Sequence, residues 1–197
     1  MKNILIAIVV VVALAISLIV VTHINKIPTY DEGLKASWAQ VQNQYKRRAD
    51  LVPNLVATVK GYASHEKEVL TQVVEARAKV GQMQITPDVL NNPQAFAQFE
   101  ANQGALSSAL SRLMVVVERY PDLKADKNFL ALQSQLEGTE NRIAVARKDY
   151  IATVKVYNLE LRTVPGKWVA AFFYPEATIK ENFSATPEEQ AVPAVQF

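Results

Sequence analysis

Cysteine is absent from this 197-residue chain, and histidine occurs only twice. The first absence excludes disulfides, thiol chemistry and a lipid-modified cysteine anchor, and it leaves the compartment undecided. The second leaves little to hold a metal. His65-Glu66 lacks the second histidine that a zinc-binding His-Glu-x-x-His helix needs, and His23 lies far upstream. The Glu-x-x-His pairs of di-iron bundles do not occur either. Glycine numbers six, with no phosphate loop and no Gly-x-Ser-x-Gly elbow. Excess charge is missing as well: 21 Lys and Arg face 19 Asp and Glu, a net +2. Basic residues are scattered among acids, which is no footprint for nucleic acid. The sequence therefore reads as non-enzymatic, with no catalytic set, metal, cofactor, nucleic-acid partner or small-molecule substrate.

What the chain does have is a long apolar run. Residues 4–21 read ILIAIVVVVALAISLIVV, with Ser17 the only polar side chain and no charge, glycine or proline. As a helix this run spans roughly 27 Å, close to the ~30 Å hydrocarbon core of a bilayer. A cleaved signal peptide has a shorter apolar stretch ending at a small-residue site. Here Ala13-Leu14-Ala15 lies inside the run. A buried core helix is rarely so uniformly apolar. Residues 1–25 are therefore expected to be a retained transmembrane anchor, carried by Ile4, Leu5, Ile8, Val12, Ile16, Leu18 and Val21, with the lipid bilayer as partner. Lys2 on one side and Lys26 and Lys35 on the other leave the positive-inside bias near zero. The short basic start favours a signal anchor with the domain outside; a cytoplasmic domain is the alternative.

The rest of the chain carries helical periodicity and no strand pattern. Residues 23–29 read as a link in which Pro28 marks a break. Apolar positions then step by three and four through Leu34, Trp38, Val41, Tyr45, Val52, Leu55, Val59, Tyr62, Val69, Val73, Ala76 and Val80. Arg48 and Glu66 fall on this seam. Pro53 predicts a kink rather than a loop, because the phase persists across it. Gly81 suits a C-terminal cap. After a linker, Asn92-Pro93 opens a second stripe through Phe96, Phe99, Leu106, Leu110, Leu113 and Val117, with Gln103 in register. Asp126 opens a third through Phe129, Leu136, Ile143, Tyr150, Val154 and Tyr157, with Thr139 in register.

The expected fold is all-α. It comprises an N-terminal transmembrane helix, an antiparallel bundle of three long helices with a short fourth helix near residues 167–174 (bundle 26–175), and a tail over 176–197. The long helices would measure roughly 80, 40 and 54 Å. An 80 Å helix overhangs a 40 Å partner. Either Pro53 folds it back or its exposed end meets another copy, which motivates a homo-oligomer.

Four stretches carry a family likeness. Residues 44–62 read QYKRRADLVPNLVATVKGY and are followed by Ala63-Ser64-His65-Glu66; residues 118–150 read ERYPDLKADKNFLALQSQLEGTENRIAVARKDY; Tyr157-Asn158 and a final Pro193-Ala194-Val195-Gln196-Phe197 complete the set. Together they resemble the bacterial LemA family over nearly the full length. The resemblance implies a membrane-anchored bundle of long antiparallel helices without established enzymatic activity; the expected location is the inner (cytoplasmic) membrane, with the bundle extracytoplasmic on the signal-anchor reading and cytoplasmic on the alternative. The resemblance also hints at work beside membrane proteases. Residues 163–168 (TVPGKW) are a loose version of the family's aromatic-proline segment.

Arg48, Asp50, Glu66, Glu140, Arg142 and Arg147 are the candidate interaction and register residues. A seam charge needs a partner, because burying it alone is very costly. Arg48 against Glu66, Glu140 or Glu137 would satisfy this. The other reading is a polar layer that sets helix register or recognises another subunit. Trp168, Phe172, Phe173 and Tyr174 read as core, with a membrane-surface contact as the alternative. The function expected is a membrane-anchored scaffold that self-associates in the cell envelope; the alternative is an adaptor or regulator of a membrane protease.

Overall fold

Residues 2–62 form one helix, α1 (Lys2–Tyr62), in a computed structural model that describes residues 2–82 and 87–184. Two prolines lie inside it, Pro28 and Pro53. A helical proline has no N–H for the carbonyl four residues back and crowds it. Pro28 thereby orphans the Ile24 carbonyl, and Pro53 that of Ala49. Both acceptors are satisfied from elsewhere in the fold. The Tyr174 hydroxyl donates to the Ile24 carbonyl at 3.1 Å. Arg77 Nε donates to the Ala49 carbonyl at 3.0 Å. The break expected at Pro28 is therefore absent, and the helix also continues through Pro53. Each orphaned carbonyl becomes a point where another segment docks. Arg77→Met is expected to cost about 1 kcal/mol in the native background and almost nothing beside Pro53→Ala, which restores the intrahelical donor. Urea denaturation of the four variants measures the coupling; equal costs in both backgrounds would assign Arg77 another role.

The overlong helix does not form. α1 ends at Tyr62, the chain reverses over residues 63–66, and α2 (Lys67–Gln82) returns along α1. Pro53 is not the site of the fold-back. The apolar phase survives the reversal because Ala63, Leu70, Val73, Ala76 and Val80 bury against the same core as Val52, Leu55 and Val59. A stripe of constant phase reads alike for one long helix and for two arms closing on a shared core. Tyr62 leaves the stripe: it is exposed, and its hydroxyl donates to Asp126 at 3.0 Å.

A 3₁₀ turn (Pro87–Asn91) leads into α3 (Pro93–Val117), a short α4 (Pro121–Lys124), α5 (Lys127–Arg162) and α6 (Gly166–Phe173). The fold is all-α, with no strand among the described residues. The Asn92 side chain caps α3 by accepting from the Gln94 and Ala95 amides. Asp126 caps α5 from the Asn128 and Phe129 amides. The Phe129 amide foremost, with Tyr62 and the Asn128 amide, holds the Asp126 carboxyl below the usual range. α5 packs antiparallel to α1 along most of the bundle, and α3 packs on α2.

Residues 176–184, expected as part of a tail, close onto the core. Asn158 bonds the backbone of Lys180 in both directions at 2.9 Å. The Tyr150 hydroxyl donates to the Glu181 carbonyl at 2.8 Å, and the Glu181 amide donates to Leu90 at 2.9 Å. Phe183 is buried among Trp38, Phe96 and Tyr150. The linker residues 83–86 and the end of the tail, 185–197, lie outside the described residues. Of the residues expected to form the anchor, Ile4, Leu5, Ile8, Val12, Leu18 and Val21 are exposed, and the Ile16 side chain lies outside those described.

Candidate functional site

The bundle core is split in two by charge. Toward the anchor lies an aromatic half built on Trp38, Tyr45, Phe96, Phe99 and Tyr150. Beyond it lies a mainly aliphatic half built on Val52, Leu55, Val59, Val73, Leu106 and Leu113. Between them sits Arg48, which is 1% exposed. With Gln103 and Thr139 it makes up the buried polar set among the described residues. All three are polar positions that interrupt the stripes in register; the fourth, Glu66, is not fully buried.

Arg48 binds two other helices at once. Nη1 donates to the Ser107 hydroxyl at 2.6 Å and to Glu140 at 3.0 Å. Nη2 donates to the Gln103 carbonyl at 3.1 Å and its side-chain oxygen at 2.6 Å. The guanidinium carbon also stands 5.0 Å from the centre of the Tyr45 ring. Burial pushes the Tyr45 phenol up, while Arg147 and Arg48 pull it down. Of the Arg48 nitrogens, Nε is buried without a hydrogen-bond partner. The arrangement satisfies one charge with a charged acceptor and three neutral ones, which makes burial tolerable. Sliding α3 or α5 by one turn would strand the guanidinium.

Of the proposed partners, Glu140 pairs with Arg48, and Glu66 and Glu137 do not. The reversal at residues 63–66 carries Glu66 to the far end of the bundle. There it pairs with Arg119 at 3.3 Å and accepts from the Tyr120 hydroxyl at 3.0 Å. Arg142 works on the outside, joining Gln44 at 3.3 Å and Thr139 at 3.1 Å. Arg147 pairs with Glu100 at 3.8 Å and lies 4.3 Å over the Phe183 ring. Asp50 is exposed on the outer side of α1, outside the layer, and with the helix unbroken it caps nothing. Sequence reading missed Ser107; its spacing of four from Gln103, one helical turn on the same face, is the signal that points to it.

A cleft of about 560 Å³ between α3 and α5 opens onto this layer. Ala97, Ala101, Gly104 and Ser108 keep its α3 wall low, and Glu140 and Arg147 stand on the other side. Ser107 is engaged by Arg48, while His23 pairs with Glu160 at the anchor end and His65 lies in the distal reversal. The arrangement thus offers hydrogen bonding and charge pairing, and it brings neither histidine to the serine. Among the described residues no three potential metal ligands come together.

Residues 37–197 match the profile of the LemA family. The chain belongs to this family. The match begins beyond the apolar run and takes in the whole Arg48 layer. The chain is also similar to the magnetosome protein MamQ 1 of Paramagnetospirillum magneticum, 28% identical over 163 residues, which are 74% of this chain and 60% of that protein. Similarity to protein LemA of Metamycoplasma hominis is 24% over 123 residues, 62% of this chain and 52% of that protein. This LemA-family chain thus matches little more than half the length of those curated relatives. The names of the family and of these relatives carry no reaction.

Proposed function

We propose that this chain is a membrane-anchored, non-enzymatic interaction protein whose anchor and bundle share one rod. The continuity of α1 carries the reading: 61 residues run without a break from the apolar segment into the bundle core. None of the described side chains of the apolar segment is buried by the rest of the chain, so only an apolar solvent accepts them at low cost. Residues 1–25 would then be the span and the rest of the described chain the bundle, in the inner membrane with the bundle extracytoplasmic. Protease digestion of intact and permeabilised cells tests the side; a bundle protected by the inner membrane reverses it.

The finer reading is self-association into an envelope scaffold. Its earlier motive, an overhanging helix, is gone with the reversal at residues 63–66. A different feature favours it. On the side of α5 away from the core, Val145, Ala152, Val156 and Leu159 are exposed and recur at steps of seven, four and three. That spacing is a heptad seam waiting for a partner helix. Light scattering of the full chain in mild detergent should give a multiple of the 21.9 kDa protomer. A monomer that is not changed by concentration overturns the scaffold and leaves the anchored bundle standing. No feature of the described residues favours the protease adaptor.

A further inference from the structure

The aromatic segment near the end of the chain does not behave as core. α6 buries Gly166, Val169 and Ala170. Its other face presents Trp168, 66% exposed, and Phe172, 81% exposed, with Val164 ahead of them also exposed. Trp168 and Phe172 are four residues apart within α6 and so share one side. Among the large apolar side chains described, Phe172 is the most exposed, more so than any in the apolar run of α1. Leaving such rings in water forgoes the largest burial available to any side chain type.

The position of α6 says what covers them. Tyr174, which ends α6, donates its hydroxyl to the Ile24 carbonyl, and His23 Nδ1 lies 2.5 Å from Glu160 in the last turn of α5. Residues 23 and 24 follow Val21, the last residue of the apolar run, by about 5 Å of helix rise. The exposed rings are thus at the anchor end of the bundle, level with the polar boundary of a bilayer that holds residues 4–21. α6 is also tightly seated: a methyl group added at Gly166 would stand 2.3 Å from the Glu160 carbonyl. Exposed Arg162 and Lys167 flank the rings with positive charge suited to anionic headgroups. Tryptophan, with an apolar ring and a polar N–H, is the side chain that favours this depth.

We propose that α6 rests on the membrane surface, with Trp168 and Phe172 seated among the lipid headgroups beside the point where α1 enters the bilayer. The bundle then has two points of contact with the membrane, which fix how it stands. This rests on reading residues 4–21 as the span.

The test uses the full chain in vesicles of equal parts phosphatidylcholine and phosphatidylglycerol, with bromine on the acyl chains near the glycerol. The chain has two tryptophans. Trp38 is buried in the core and stands about 25 Å of helix beyond the apolar run, out of reach of the bromines. Trp168 should lose about half its emission, as an indole at headgroup depth does. Trp168→Phe should abolish that loss, and Phe172→Ser should reduce it without changing the melting temperature, since both side chains are exposed. An inserted chain whose emission is unaffected by brominated lipid overturns the proposal and spares the anchor. A chain extracted by alkaline carbonate overturns both. Trp168 shielded from acrylamide only at high protein-to-lipid ratio, and untouched by brominated lipid, means that a second copy covers the patch, which also overturns the proposal.

Discussion

Glu140→Ala should destabilise the bundle by about 3 kcal/mol, more than Arg48→Leu does. The asymmetry follows from burial. The Arg48 side chain is 2% exposed and that of Glu140 is 43% exposed. Removing Glu140 leaves a buried guanidinium with three neutral acceptors and no counter-charge. The cost falls at the low end of the usual range for breaking a buried pair, because water reaches the Glu140 side of the site. Arg48→Leu removes the buried charge and lets Glu140 turn to water. What remains is the buried Gln103 side chain without its donor, a penalty of about 1–2 kcal/mol. Urea denaturation in detergent ranks the two. If Arg48→Leu is the costlier, the hydrogen bonds to Ser107 and Gln103 dominate and the charge pair is secondary. Should Arg48→Leu keep the fold yet lose assembly, the layer acts in recognition as well as register.

Phe183→Ala should cost about 3–4 kcal/mol, a core-sized loss from a segment with no sequence period. Its ring centre lies 5.2 Å from that of Phe96 and 5.5 Å from that of Tyr150, and Arg147 covers it at 4.3 Å. Truncation opens a cavity that Trp38, Phe96 and Tyr150 have no room to fill, since each is held by its own helix. Ile179→Ala, four residues earlier and exposed, should move stability by less than about 0.5 kcal/mol. Thermal melts followed by near-ultraviolet circular dichroism compare the pair. Similar small shifts would mean that residues 176–184 lie on the core without contributing to it.

The two predictions differ in how far the sequence foretells them. Arg48, Gln103 and Thr139 are visible as polar residues at apolar positions of three separate stripes, and only their meeting at one level is new. Asn158 and Phe183 are not visible in that way. The segment they join is extended and makes its contacts one residue at a time, so no periodicity announces it. Trp168 and Phe172 mislead in the other direction. Large apolar side chains are usually buried, and the sequence does not reveal that α6 turns Val169 and Ala170 inward and these rings outward.

The long apolar helical segment, the seam phases, the caps at Asn92 and Asp126 and the all-α class follow from the sequence by itself, because each depends on residues a few positions apart. Tertiary structure alone decides the rest. The reversal at residues 63–66 is hidden by a phase that both arms share. The prolines sit inside α1 because Tyr174 and Arg77 reach the carbonyls they orphan. Arg48 pairs with Glu140 rather than Glu66 because the reversal carries Glu66 away. In every such case the deciding partner is distant in sequence, and the free energy lies in which surfaces meet.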